Sequence, residues 1–343
     1  MANYKILSLD GGPSNATYLR LLREIEKQRP GFLAQADLFS GTSDGAISSI
    51  YMASRPSSED GLTSIENCIA LSDEVFTSAQ PGCFGLLRLL TGLLSMDNNK
   101  KLQHTLEQYY GPHTELGDLP RKITLVSYRL SEQSGPKIYN NFPGDPDEQL
   151  NATDVALASS AFPVLLPIHE GHVDGAIFAN NPSMCALTQT LAAREHLPDV
   201  KSLDDISIFS LGGDDKHIGT ALDQFFFQRC KNQQWGWIPW MLQPLSPMLI
   251  FDLIVNSNGR GVSFQCQQLI GDSFFRLAPI RRTEITELLW VVLNNSKKVI
   301  RKAEQLATFW SSHPNTTEIT PNMSDTLKWV DEHWMNPPKG QAG

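Results

Sequence analysis

Twice within the first 54 residues, a short apolar run ends in a glycine turn and gives way to a helical pattern. "KILSL" runs into Asp10-Gly11-Gly12 and then "TYLRLLREIEKQ", in which Leu19, Leu22 and Ile25 repeat at helical spacing and Ser14 or Asn15 can cap the start. "ADLFSG" runs into "DGAISSIYMAS" in the same way. Strands that alternate with helices cannot pair through tight hairpins. They pair through crossovers, giving a mainly parallel sheet covered on both faces. The rest of the chain continues the pattern. Residues 62 to 110 read as largely helical, "KITLVSYRL" as a strand with "KIYNN" beside it, and "ATDVALASSA" as a helix stopped by Pro163. "SMCALTQTLAAREH" reads as a helix, "DISIFSLGG" as a strand and "FFRLAPI" as a late strand.

The chain has 343 residues, enough for one large domain or two. No Pro/Gly/Ser-rich linker divides it, so one domain over 1–335 is expected, with core motifs in 5–279, closing helices in 284–335 and a disordered tail at 336–343. Twenty-eight Lys and Arg face 37 Asp and Glu, a net charge of −9, without a dense basic run. That balance argues against nucleic acid and against generic attraction to an anionic bilayer. The five cysteines are scattered and form no CxxC pair, so neither a zinc site nor a disulfide framework is expected. No secretory leader follows Met1, and the most apolar late stretch, "WGWIPWMLQPLSPMLIFDLIV", is broken by Gln243, Ser246, Asp252 and three prolines. A cytoplasmic protein is expected, with export independent of a signal peptide left open.

"GTSDG" places Ser43 between Gly41 and Gly45. GxSxG alone arises by chance in roughly one chain in ten of this length. Here it lies between a strand and a helix, the context of a nucleophile elbow, where glycines permit a sharp turn that exposes the serine oxygen. The competing reading is a tight turn with a capping serine. A serine hydroxyl needs a base within hydrogen-bond reach. Of the eight histidines, His104, His113, His196, His313 and His333 sit in polar helical or terminal stretches, and His169 and His172 flank "EGHVDGA". His217 could complete an α/β-hydrolase order with Asp205 or Asp214, but Ser43 follows only two strands, too few for that fold. The other candidate is Asp174 in "HVDGAIFANNP", at a strand end before a glycine turn. It serves as a base only if burial raises its pKa; otherwise it merely shapes the turn.

"SLDGGPSNA", "GTSDG" and "VDGAIFANNP", in that order, resemble the patatin-like phospholipase family, with its Gly-rich DGGGxRG loop, GxSxG elbow and DGG/DGA aspartate. "ALASSAFPVLLP", "IFSLGG" and "FFRLAP" are weaker echoes, and together the likeness runs from Lys5 to about Pro279. It implies a three-layer α/β/α sandwich with a mainly parallel central sheet. It also implies a Ser–Asp dyad, with Ser43 as nucleophile and Asp174 as base, that cleaves lipid acyl esters through an acyl-enzyme without a histidine, a metal or another cofactor. Gly11, Gly12 and the Asp44 amide are then the oxyanion donors.

The Gly-rich loop departs from the family pattern: Pro13 replaces the third glycine, Asn15 the arginine and Ala16 the last glycine. Pro13 has no N–H, and one lost oxyanion donor can cost about 10²–10³ in rate. Two alternatives follow: an acyltransferase or thioesterase on the same dyad, and a catalytically impaired lipid- or partner-binding module. The acyl pocket is expected in "CFGLLRLLTGLL" and the Trp-rich segment, through Phe84, Leu87, Trp237 and Trp240; the competing reading is a plain helical core under the sheet. Lipid or acyl ester is the expected substrate, with peripheral contact at a membrane interface and no nucleic acid. The oligomeric state is not legible.

Overall fold

A computed structural model describes residues 4–12, 15–78, 95, 98–213, 249–278, 296–317, 319 and 321–335. Among them, strands β1 (Tyr4–Leu9), β2 (Leu38–Thr42), β3 (Lys122–Arg129), β4 (Gly135–Asn140), β5 (His172–Asp174), β6 (Ile206–Leu211) and β7 (Phe274–Leu277) form one sheet. Its order is β4-β3-β2-β1-β6-β7, with β5 also on β3. β1 pairs in parallel with β2 and β6, β2 with β3, and β6 with β7, whereas β4 and β5 run antiparallel to β3. The sheet is thus mainly parallel, as the alternating pattern requires.

The central strands are buried along their whole length because both faces are covered. The parallel register aligns Ile6 with Leu38 and Ile208, and Ile208 with Phe274. That row packs with Ala186 and Leu187 of α7 (Ser183–Ala192), which follows the short α6 (Ala176–Ala179), and with Cys266 of α8 (Leu249–Ile270). The alternate row, Leu7, Phe39 and Phe209, points the other way into a larger core. There it meets α1 (Asn15–Gln28), α2 (Asp44–Ala53), α3 (Gly61–Ser78), α4 (Lys100–Tyr110), α5 (Ala152–Ser159), α9 (Ser296–Ser312) and α10 (Met323–Val330). The result is helix, sheet, helix: the three-layer α/β/α sandwich.

Buried polar links hold the larger helical layer together. Arg20 of α1 is buried and donates to Asp73 of α3 (2.7 and 3.2 Å) and to Glu304 of α9 (2.8 Å). Asn15, expected to cap α1, is instead its first residue and lies inside. Its side-chain amide donates to the Asp44 carbonyl (3.1 Å) and to Ser48 Oγ (2.9 Å), tying α1 to the start of α2. A cap serves one helix end, whereas this buried amide links two.

Candidate active site

Strand register brings the ends that carry Ser43 and Asp174 together on β3. β2 lies along β3 from Leu38↔Lys122 to Thr42↔Val126. β5 lies along the next residues of the same strand, from Asp174↔Ser127 to His172↔Arg129. Because β2 runs parallel and β5 antiparallel to β3, their C-terminal ends meet head-on. Ser43 is the residue after β2 and Asp174 the last residue of β5. Ser43 Oγ donates to Asp174 Oδ2 at 2.7 Å, across 131 positions of sequence.

The two flanking glycines permit the elbow by close approach rather than by unusual dihedrals. A Cβ at Gly41 would lie 2.3 Å from the Gly45 carbonyl oxygen, and one at Gly45 2.3 Å from the Leu9 carbonyl oxygen. Ser43 itself has φ 55° and ψ −124°, a left-handed conformation that a non-glycine residue adopts only where its surroundings enforce it. Thr42 Oγ1 pins the end of β2 by donating to the Ala179 carbonyl (2.7 Å).

Asp174 is wholly buried. Its Oδ1 accepts from the Ala176 amide (2.7 Å), and its Oδ2 accepts the Ser43 hydroxyl. Burial dominates its titration and pushes its pKa up to about 7, against the lowering effect of those two hydrogen bonds; the nearby Asp44 carboxylate raises it further. Burial also raises Asp44, to about 6. A carboxylate that titrates near neutrality is suited to take a proton and return it.

The Gly-rich loop is held from several sides. Gly11 lies so close to the elbow that a Cβ there would come 3.0 Å from Ser43 Cβ. Its N–H donates to the Asn180 carbonyl (3.1 Å). Of the three expected donors, Gly12 and Asp44 therefore keep backbone amides without a hydrogen-bond partner among the described residues. Pro13 lies outside those residues, as do Ser14, Phe84, Leu87, Trp237, Trp240, Asp214 and His217.

No described histidine hydrogen-bonds Ser43 or Asp174. His172 Nδ1 meets the Glu170 carbonyl (2.9 Å), and His169 Nε2 meets Asp154 Oδ1 (3.1 Å). Asp205 accepts from the Lys201 and Ser202 amides at the start of β6. It therefore sits at the opposite end of the sheet from Ser43, which rules it out as a triad member. Asp154, His169 and Glu170 bring three potential metal-ligating atoms within 4.8 Å of one another, and none of the three hydrogen-bonds the Ser43–Asp174 pair.

Arg276 of β7 was not singled out in advance. Its guanidinium grips Asp10 with two bonds (2.7 and 2.5 Å) and donates to Ser210 Oγ (2.8 Å). A Cβ at Gly212 would lie 2.2 Å from Asp10 Oδ2 and 2.3 Å from Arg276 Nη2, so the glycine after β6 makes room for the pair. Asp10 precedes Gly11, so a cation from the far end of the chain anchors the loop whose own arginine position holds Asn15. The only advance signal was that "FFRLAP" carried part of the resemblance.

The patatin-like phospholipase family model matches residues 7–187, more than half of the chain. The chain belongs to that family. The Bacillus subtilis protein named as the sporulation hydrolase CotR is 28% identical over 299 residues, which span 81% of this chain and 88% of CotR. A cGAMP-activated phospholipase of Pseudomonas aeruginosa is 25% identical over 290 residues, 80% of this chain and 78% of the relative. The solved structure of VipD from Legionella pneumophila aligns with 97% of this chain and 80% of its own at 11% identity, with a TM-score of 0.33, too low to carry weight. Among the described residues, no helix is long and apolar enough to cross a membrane.

Proposed function

We propose that this patatin-like hydrolase cleaves acyl esters of lipids with Ser43 as nucleophile and Asp174 as general base. The observation that carries the reading is the 2.7 Å hydrogen bond from a strained elbow serine to a wholly buried carboxylate raised to about 7. Ser43 Oγ attacks the ester carbonyl carbon as its proton passes to Asp174 Oδ2. The tetrahedral oxyanion faces the backbone amides of Gly12 and Asp44. As it collapses, the leaving alcohol takes the proton from Asp174 and the acyl group stays on Ser43 Oγ. Water then attacks the acyl-enzyme, Asp174 accepts its proton, and the carboxylic acid departs as Ser43 recovers its hydrogen. The phospholipase name of the Pseudomonas relative supports phospholipid as the ester class, presented at a membrane interface.

The test is hydrolysis of phospholipid vesicles together with labelling by a fluorophosphonate probe. Ser43→Ala is expected to abolish both, and Asp174→Asn to lower turnover by about 10³-fold or more, with wild-type circular dichroism for each. Activity should rise with pH through about 7 as Asp174 ionises. Labelling that survives Ser43→Ala would remove the nucleophile assignment.

A further inference from the structure

Ser43 and Asp174 meet end to end at β3, and end-to-end strands share no ladder hydrogen bonds. Something else must fix the gap between them. The last turn of α5 and the two residues after it lie across that junction and touch both sides. Ser159 Oγ accepts the Ser43 amide (3.0 Å) and donates to the Val126 carbonyl (2.6 Å). The Ser159 carbonyl accepts the Gly175 amide (3.1 Å), and the Ala161 carbonyl accepts the Asp174 amide (3.0 Å). Carbonyls at a helix C-terminus lack intrahelical partners; here the amides of the base strand fill that role.

The hydroxyl direction is fixed by its neighbours. A carbonyl oxygen only accepts, so the Ser159 proton points to Val126 and a lone pair faces the Ser43 N–H. Val126 is also the residue opposite Thr42, the last position of β2. Ser159 therefore references the nucleophile's backbone to β3, the strand that carries Asp174. The Ser43 amide lies beyond the last β2–β3 pair and before the first turn of α2, so neither the ladder nor the helix supplies it with a carbonyl. Gly175 leaves the crowded spot open: a Cβ there would sit 2.2 Å from the same Val126 oxygen. Ser159 is fully buried, so water cannot replace its hydroxyl without entering the core.

We propose that Ser159 is the positioning residue that holds the strained elbow at Ser43 in register with Asp174. The inference rests on the Ser43–Asp174 reading above. Ser159 does not touch the reacting atoms; it acts by keeping Ser43 Oγ within hydrogen-bond reach of Asp174. Removing its oxygen leaves the Ser43 amide and the Val126 carbonyl buried and unpaired, and the elbow relaxes away from the base.

The experiment compares Ser159→Ala with Ser160→Ala, Ser43→Ala and wild type on a p-nitrophenyl acyl ester, with fluorophosphonate labelling rates and thermal melts. Ser160 is a control of equal chemistry: it is also buried, but its hydroxyl donates only to Ala156 within its own helix (2.8 Å). For Ser159→Ala, kcat and the labelling rate should fall by about 10²-fold, as a misplacement near 1 Å would cause, with KM within about threefold of wild type. The midpoint of the pH–rate profile should also move upward, because Asp174 loses the Ser43 hydrogen bond that lowers its pKa; Asp44 is the charged neighbour set against it and is unchanged. Ser160→Ala should keep kcat. Ser159→Ala with kcat within about threefold of wild type, while Ser43→Ala is dead, overturns the positioning role alone. Equal kcat losses in Ser159→Ala and Ser160→Ala overturn it too, since helix packing would then be the cause. An active Ser43→Ala overturns the dyad and this inference with it. If Ser159→Ala does not fold, Ser159→Cys, similar in shape but a weak acceptor, meets the same criteria.

Discussion

The elbow and the aromatic wall beneath β6 and β7 are built on opposite principles. In the wall, Phe32 stacks on Trp334 (4.8 Å between ring centroids), Phe209 stacks on Phe275 (5.4 Å), and Trp329 lies against Phe275 (5.2 Å). The three described tryptophan N–H groups each find a carbonyl: Trp334 with Phe32 (2.8 Å), Trp310 with Pro321 (3.1 Å) and Trp329 with Asp272 (2.7 Å). Large apolar area is buried there and the polar handles are satisfied, so the wall contributes stability. The elbow buries a carboxylate, a left-handed serine and a hydroxyl relay in the same sheet. Each is unfavourable alone and persists only because its surroundings enforce it. The lesson is a division of labour: the wall contributes stability, and a strained backbone beside an unneutralised buried carboxylate sits where acyl chemistry is proposed.

That contrast can be broken at the wall first. Trp334→Ala is expected to lower stability by about 3–5 kcal/mol, measured by urea denaturation, while kcat per active site, counted by fluorophosphonate titration, stays at the wild-type value. A matching loss of kcat would show that wall and site are not separate.

Arg276→Met tests the link between them, because it leaves the nearly fully buried Asp10 without its guanidinium partner. The expected loss is about 3 kcal/mol in a denaturant melt, together with slower fluorophosphonate labelling because the Gly-rich loop is no longer anchored. Wild-type stability in Arg276→Met would mean that the pair is not needed to hold the loop.

Asp174→Asn sharpens the contrast from the site side. The folded pKa of about 7 lies above the ordinary carboxylate value of 3.8. A carboxyl raised in this way contributes stability that is complete below about pH 4 and lost as pH rises through about 7. The variant, dead in catalysis, should therefore melt higher than wild type at pH 8, with the advantage gone at pH 4. An equal or lower melting temperature at pH 8 would contradict the burial argument. The smallest effect is expected for Asp44→Asn. Removing a neighbouring negative charge lowers the Asp174 pKa, so the acid limb of the pH–rate profile should move to lower pH. An unmoved limb would show that the two carboxylates do not sense each other.

Much of this was legible in one dimension. Apolar runs before Gly11 and Gly41 announced strands, and the helical spacing after them announced a covered parallel sheet. The GTSDG elbow declared itself because its causes are local: Gly41 and Gly45 lie within two residues of Ser43. The proposed base was legible only as an aspartate at a strand end, and the resemblance, not the residues, paired it with Ser43. Asn15 was misread because a cap is a local role, whereas its side-chain amide reaches Asp44 and Ser48 of α2, about thirty positions away. The oxyanion donors were read as a set, but Gly11 directs its amide to Asn180, a partner 169 positions away. Ser159 and Arg276 lay in segments that echo the family, but nothing around either residue in sequence says what it faces.

The sequence by itself determined which segments are strands and helices, where the glycine-flanked turn at Ser43 falls and which family the chain resembles, because periodicity and glycine spacing act over a few residues. Tertiary structure alone decided that β5 abuts β2 along β3, that α5 bridges the junction and that Arg276 reaches Asp10. Those outcomes depend on hydrogen bonds between groups tens to hundreds of positions apart, whose geometry exists only once the sheet has chosen its strand order and register.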